Sequence, residues 1–216
     1  MKLYTFWRSS AAFRVRIALN LKGLAYESVV KKLTRQEQLA ADYLALNPQG
    51  LVPALDDDGR VLTQSLAIIE YLDELQPLPP LLPADAVGRA RVRALAAAIA
   101  CDIHPLNNLR VLNYLKDPLG LDEAAVTAWY RHWIAAGFRG LEELARRHSA
   151  DGRHLYGETT TLADVCLVPQ VYNARRYACD LTPFPTLVAV SAALEALPAF
   201  AAARPEAQPD APAAPT

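Results

Sequence analysis

Cysteine is scarce: Cys101, Cys166 and Cys179 are the only three in 216 residues, odd in number and widely spaced. Such a set forms neither a disulfide framework nor a metal-ligand pattern, and its mostly apolar neighbours point to reduced thiols in or near a core. Excess charge of either sign is also missing, since 22 Lys+Arg against 23 Asp+Glu leave a formal net charge of -1. A chain so balanced has no overall attraction to phosphate backbones or acidic lipid heads, which argues against nucleic acid as a partner. No uncharged apolar run approaches the roughly 20 residues that span a bilayer, and MKLYTFW lacks the basic segment and apolar run of a secretory signal. The expectation is a cytoplasmic protein with no membrane partner.

What the chain has is 52% hydrophobic residues, ample for a substantial core, in two contrasting patterns. Residues 2–6 read as a strand, and the helix that follows, 10–21, carries Phe13, Ile17 and Leu21 at four-residue intervals, with Gly23 closing it. A strand at 26–30 and a helix at 35–45 come next, then two short strands around Asp58-Gly59, then a helix from Ser65 to about Leu75. The order β-α-β-α-β-β-α, with a parallel crossover at the start and a hairpin near the end, predicts a thioredoxin-like domain over residues 1–76. The run QPLPPLLP cannot continue a helix or a ladder, which puts a linker at 77–85. Beyond it strand signals largely vanish, and Ala- and Leu-rich stretches at 87–115, 123–147, 162–178 and 186–197 predict an all-helical domain over 86–203. The fold class is thus α/β plus all-α. Residues 204–216, rich in Pro and Ala with few large apolar groups, are expected to form a loose tail.

The polar residues at element boundaries carry the chemistry. Strand one runs into Trp7-Arg8-Ser9-Ser10, so one of the two serines caps the helix that follows. The same geometry supports a second role, because a helix amino terminus with its unpaired N–H groups favours an anion such as a thiolate. Pro53 stands immediately before the third strand, where a cis Val52-Pro53 bond would turn the chain and leave the Val52 backbone free to pair with a peptide ligand. Gln64-Ser65 opens a further helix, where Ser65 either caps or also grips a carboxylate. Thr161-Leu162-Ala163-Asp164 reads as a capping box with Asp164 in place of Glu or Gln, a folding element.

Taken together, FWRSSAAFRVRIALNLKG, ALNPQGLVPAL, QSLAIIEYLDE, GETTTLADVCLVPQV and RYACDLTPFPT resemble the zeta-class glutathione transferases, the family of maleylacetoacetate and maleylpyruvate isomerases. The resemblance implies glutathione as cofactor, held by the Val52 backbone and by Gln64 and Ser65 at its γ-glutamyl end, with Gln38 and Gln49 as further contacts and the thiol beside Ser9 and Ser10. His104 and Asn108, read as one helical turn apart, would either approach glutathione or form a satisfied polar pair. Many members carry Ser-Ser-Cys where this chain has Ser9-Ser10-Ala11, so no enzymic thiol acts there and the sulfur is the cofactor's. The implied helical domain is that of the transferases, and a homodimer is the implied assembly.

A conjugated cis double bond isomerises slowly because its π bond must break, and reversible thiolate addition removes that bond for a time. Lowering a thiol pKa from about 8.5 to about 6.5 is worth roughly 2.7 kcal/mol, a size that one hydroxyl and one helix end can supply. Charge then develops on a substrate that already carries carboxylates, so cationic partners are expected. Arg8 lies beside the serines, and the family pattern carries a carboxylate-binding role to Arg176 while leaving Arg175 solvated. Arg110 resembles an arginine of bacterial maleylpyruvate isomerases. The expected substrate is a maleyl dicarboxylate, maleylacetoacetate first and maleylpyruvate as the alternative. Two further readings are a general glutathione transferase that conjugates electrophiles and a non-catalytic binding protein.

Overall fold

The computed structural model describes residues 1–213. The chain divides into two compact units, one holding Met1–Leu81 together with the chain from Ala196 onward, the other Leu82–Glu195.

In the first unit, β1 (Lys2–Thr5), α1 (Ser10–Leu21), β2 (Glu27–Val30), α2 (Ala41–Leu46), β3 (Ala54–Asp57), β4 (Arg60–Thr63) and α3 (Ser65–Leu75) follow the expected order. The sheet runs β2-β1-β3-β4. β1 pairs parallel with β2 through Leu3↔Ser28 and antiparallel with β3 through Leu3↔Leu55. β3 and β4 form the hairpin, and its two loop residues, Asp58 (φ 52) and Gly59 (φ 84), take the paired positive φ that matches strand twist in a two-residue turn. The Asp56 carboxylate accepts the Gly59 N–H at 2.7 Å and closes it.

Leu3, Phe13, Ile17, Leu55, Ile68, Ile69 and Leu72 are buried, each contributing on the order of 1.5–3 kcal/mol by leaving water. α1 is buried on every side because α3 and α9 (Pro198–Ala203) both pack against it, which takes Arg14 and Arg16 out of water with the apolar residues. The helix expected at 35–45 is broken instead into two 3-10 turns, Leu33–Arg35 and Glu37–Leu39, ahead of α2. Gln36 between the turns is left-handed (φ 56) and Ala40 is extended, so no continuous helix passes through them.

The tail expected to be loose is fastened. Within it Asp210 Oδ2 accepts the Trp7 N–H (3.0 Å), and just ahead of it Asn20 donates to the Ala199 carbonyl (2.9 Å) and Arg16 to the Ala203 carbonyl (3.1 Å). A long-range hydrogen bond to Trp7, which composition does not register, and the buried Pro205 hold it; residues 214–216 lie outside the described part. Helix α9, expected in the helical domain, belongs with the first unit. The start of the proline-rich connection is pinned too: Asp73 accepts both the Leu81 N–H and the Lys22 ammonium, and Lys22 also donates to the Pro79 carbonyl.

The second unit holds α4 (Ala86–Ala97), α5 (Leu109–Lys116), α6 (Glu123–His148), α7 (Leu162–Arg176) and α8 (Pro185–Glu195). α7 is its centre, buried almost throughout between α4 and α8. Thr161 and Asp164 make the expected capping box, and Asp164 also accepts the Leu155 N–H at 2.8 Å. Glu142 on α6 plays the same part for α8, accepting the Thr186 and Leu187 N–H groups at 3.0 Å each. The Ala- and Leu-rich stretch expected to be helical at 87–115 is divided among α4, a π-helical turn (Ala98–Ile103), a 3-10 turn (His104–Asn107) and α5. Asn108 is extended between the last two, and Pro105 has no N–H to offer a continuous helix. The π turn lies so close to α6 that a Cβ on Gly137 would fall 2.3 Å from Ile103, so glycine is required there. Among the described residues no helix is long and apolar enough to cross a membrane.

Candidate active site

The first unit gathers polar groups at three neighbouring chain breaks. Where β1 gives way to α1, Ser9 is the cap: its backbone is extended (φ -69, ψ 117) and its Oγ accepts the Ala12 N–H at 3.2 Å. Ser10 is the first helical residue and is nearly buried. Of the two serines, then, Ser9 stands at the mouth of the helix, where partial positive charge and first-turn N–H groups favour an anion. A serine hydroxyl has one proton and two lone pairs, so accepting from Ala12 leaves its proton available to an anion. Arg8 lies over the Trp7 ring, 5.4 Å from its centroid.

The second break precedes β3. The Val52-Pro53 bond is cis, as expected. The Leu51 carbonyl accepts from the Tyr43 hydroxyl (2.6 Å) and the Asn47 side chain (2.8 Å), both residues buried, which fixes the peptide plane that leads into Val52. Asn47 Oδ1 in turn accepts the Gln49 N–H at 3.1 Å. Gly50 has φ 60, and a Cβ there would meet Leu39 at 2.8 Å and the Gln38 carbonyl at 3.3 Å, so both conformation and space demand glycine. The Val52 side chain is buried in one apolar cluster with Phe6, Tyr43 and Ala54, against which Trp7 packs. Val52 and the β1–α1 corner are therefore held by shared packing.

The third break opens α3. Gln64, with φ 70 and ψ 116, is a non-glycine residue in the left-handed half of backbone space, a conformation that costs on the order of 1–3 kcal/mol and collects at functional sites. Its side chain does not cap the helix; Gln64 Nε2 instead donates to Gln49 Oε1 at 2.9 Å, at the surface. Ser65 does not cap either, being the first helical residue, and its Oγ accepts from the buried Arg14 guanidinium at 3.3 Å. The α3 amino terminus thus has a cation beneath it. Gln38 Oε1 is buried and accepts no hydrogen bond from the described residues, which suits a donor from a bound molecule.

In the second unit, Asn108 caps α5 by accepting the Arg110 N–H at 3.1 Å, and His104 belongs to the separate 3-10 turn. The expectation that the two share one helical turn is not met, because the backbone changes from 3-10 to extended between them. Arg110 is exposed in the first turn of α5. Arg176 ends α7, where a cation suits the helix dipole; its guanidinium lies 4.7 Å from the Tyr177 ring centroid and donates to the Tyr177 hydroxyl at 3.0 Å. Tyr177 is itself stacked on Tyr130, with ring centroids 3.5 Å apart. Arg175, expected to be solvated, pairs with Glu195 at 2.6 Å. Among the described residues no group of three or more His, Cys, Asp or Glu could hold a metal ion.

Residues 8–75 match the family model for the glutathione S-transferase amino-terminal domain. A probable maleylacetoacetate isomerase of Vibrio cholerae is 56% identical over 97% of this chain and 97% of its own. The chain belongs to the zeta-class glutathione transferase family of maleylacetoacetate and maleylpyruvate isomerases. Of the solved zeta-class structures, a holo bacterial maleyl pyruvate isomerase superposes with a TM-score of 0.96 at 56% identity, covering 98% of this chain and 100% of that one. A maleylacetoacetate isomerase of Methylobacterium extorquens AM1, with bound malonate and glutathione, gives 0.94 at 44% identity, covering 99% and 100%.

Four groups at these three chain breaks escape a reading of the sequence: Arg14 beneath Ser65, Arg16 and Asp210 around Trp7, and Tyr43 on the Leu51 carbonyl. A signal for the arginines exists. SAAFRVRIALNL has apolar residues on every face, so α1 has no solvent side on which two charges could sit.

Proposed function

We propose that the protein is a glutathione-dependent cis-trans isomerase that converts maleylacetoacetate to fumarylacetoacetate, and that Ser9 is the residue that meets the cofactor sulfur. The observation that carries this is the α1 amino terminus: a serine cap with a free hydroxyl proton, in a chain that shares 56% identity with named isomerases along almost its whole length. When bound, glutathione supplies a thiolate that adds reversibly to the cis double bond, permits rotation about the resulting single bond, and leaves with the trans alkene restored.

The protein's part is to hold the sulfur as an anion and to neutralise the substrate. Ser9 donates its hydroxyl proton to the sulfur while still accepting from Ala12, and the α1 dipole adds to that preference, with Ser10 beside it. The Val52 backbone pairs with the cofactor's peptide as an added strand. Gln64, Ser65 and the α3 amino terminus, with the Arg14 charge beneath, take the γ-glutamyl carboxylate, and Gln49 and Gln38 complete its polar contacts. The orphaned Gln38 Oε1 fits the ammonium of that residue. Arg8 and Arg176 meet substrate carboxylate and the charge that develops during addition. We assign His104 and Asn108 a lesser role toward the cofactor.

Arg110 favours a second reading, maleylpyruvate as substrate, because that molecule shares the maleyl head and the isomerases that act on it resemble this chain at Arg110. The protein is proposed to act in the cytoplasm as a homodimer, for which sedimentation gives the mass. Mixing purified protein with either maleyl substrate, with and without glutathione, tests the assignment. Loss of the cis isomer only when glutathione is present is expected, and conjugation of electrophiles without any isomerisation would replace the assignment by a general transferase.

A further inference from the structure

β1 ends at Thr5 and α1 starts at Ser10, so the residues between them lie outside ladder and helix, and their backbone groups need other partners. Trp7 finds a charged one at each end. Its N–H donates to Asp210 Oδ2 at 3.0 Å, and its carbonyl accepts from Arg16 Nη2 at 2.9 Å. Arg16 Nη1 reaches Thr5 Oγ1 at 3.1 Å and the Phe6 carbonyl at 3.4 Å, and that same carbonyl accepts the Ser9 N–H at 3.0 Å. Arg16 Nε closes the set on the Ala203 carbonyl at 3.1 Å.

Arg16 is wholly buried, and burial lowers its pKa to about 10, opposed by the nearby Tyr26 phenol and Asp210 carboxylate, so it remains a cation at neutral pH. A buried cation committed to four acceptors on two chain segments is costly to move. Asp210, in the segment that looked like a loose tail, and Ala203, just before it, thus supply two of the acceptors that hold the corner: the Asp210 carboxylate on Trp7 and the Ala203 carbonyl on Arg16. Gln208 stiffens the approach by donating from Nε2 to the Ala202 (3.0 Å) and Arg204 (2.9 Å) carbonyls.

We propose that the stretch Ala203–Asp210 is a positioning element of the thiolate corner, with Asp210 and Arg16 fixing the Ser9 hydroxyl through the Trp7 peptide. The proposal rests on the reading of Ser9 as the group that meets the glutathione sulfur. Its sign is distinctive. A carboxylate near a thiolate by charge alone raises the thiol pKa, so Asp210 is useful there only as a hydrogen-bond acceptor that sets geometry. Asparagine keeps that acceptor without the charge, and alanine removes it.

The test compares wild type, Asp210→Ala and Asp210→Asn by three measurements: amide hydrogen exchange at Trp7 and Ser9 without glutathione, the pH midpoint of the thiolate ultraviolet absorbance of bound glutathione, and kcat. In Asp210→Ala, Trp7 exchange is expected to rise tenfold or more, the thiolate midpoint to move to higher pH, and kcat at neutral pH to fall roughly tenfold. Asp210→Asn is expected to return all three toward wild type. Unchanged Trp7 exchange in Asp210→Ala overturns the clamp, and faster exchange with an unmoved thiolate midpoint reduces the tail to a merely structural role and overturns the positioning. Equal alkaline shifts in both variants would also overturn it. Should Asp210→Ala not fold, Asp210→Glu, whose carboxylate is displaced by one methylene, replaces it in the same comparison. A wild type that binds no glutathione sinks the functional reading and this one together, whereas a wild type that binds it, beside an Asp210 variant of identical midpoint, sinks this one alone.

Discussion

The amino termini of α1 and α7 solve one physical problem in opposite ways. Each presents first-turn N–H groups that need an acceptor. At α7 the answer is a closed box: the Thr161 side chain accepts the Asp164 N–H, and Asp164, fully buried, reaches back to accept the Thr161 N–H (2.7 Å), the Thr161 hydroxyl (2.9 Å) and the Leu155 N–H (2.8 Å). At α1 the answer is left open, since the hydroxyl of half-buried Ser9 takes the Ala12 N–H and the first turn holds no acidic residue to reach back. A terminus with a buried carboxylate in its first turn serves stability, and one without an acidic residue keeps its positive potential for a ligand. The difference teaches that a helix amino terminus is open to function when no carboxylate of its own neutralises it.

Replacing the closed cap has the largest expected effect. Asp164→Ala leaves two buried N–H donors and a hydroxyl without their acceptor and is expected to lower unfolding free energy by about 3 kcal/mol, with the activity of the remaining folded protein unchanged. Urea titration beside an active-site count checks it, and a variant of full stability would refute the closed reading of α7.

The same carboxyl sets a pH dependence. Burial raises its pKa from 3.8 to about 6, against the Leu155 and Thr161 hydrogen bonds that lower it. The folded state therefore binds this proton more tightly than the unfolded state, and its contribution to stability is fully present below about pH 4 and is lost as pH rises toward 6. The full size is about 2–3 kcal/mol at 1.36 kcal/mol per pH unit. Melting curves from pH 4 to 7 should show this slope in wild type and not in Asp164→Asn.

Opening the other terminus further affects chemistry more than folding. Ser9→Ala is expected to cost about 2 kcal/mol of transition-state stabilisation, roughly thirtyfold in turnover, and only about 1 kcal/mol of stability from the lost cap. Turnover equal to wild type would remove Ser9 from the mechanism. The smallest effects fall on the paired arginines that end α7. Arg176→Ala should raise KM for the maleyl substrate about tenfold with glutathione affinity unchanged, while Arg175→Ala, which breaks only the partly exposed pair with Glu195, should change stability by less than about 1 kcal/mol and kinetics not at all. Equal kinetic loss in both would contradict the assignment of Arg176.

The two termini also differ in how far they could be read from the residues. Thr161-Leu162-Ala163-Asp164 is a local pattern, and its hydrogen bonds form within one turn as the spacing predicts. Ser9 as the α1 cap is equally local. What escaped the reading is long-range: Arg16 and Asp210 meet at Trp7 from positions nine residues after and 203 residues after, and no window of sequence holds all three. The division of 87–115 into four pieces escaped for a different reason. Its apolar pattern is helical throughout, and the breaks are backbone decisions at Pro105 and Asn108 with a π turn pressed against Gly137.

By itself the sequence determined the order of strands and helices, the hairpin at Asp58-Gly59, and the serine at the head of α1, because periodicity and turn chemistry act between residues a few positions apart. Only the tertiary structure decided that two arginines of α1 would be buried, that Ser65 would face Arg14 in place of capping α3, and that the last described residues would grip the first corner. Those outcomes depend on which surfaces exclude water around α1. That is settled only when α3 and α9 close over it and each stranded charge must find its acceptors across the chain.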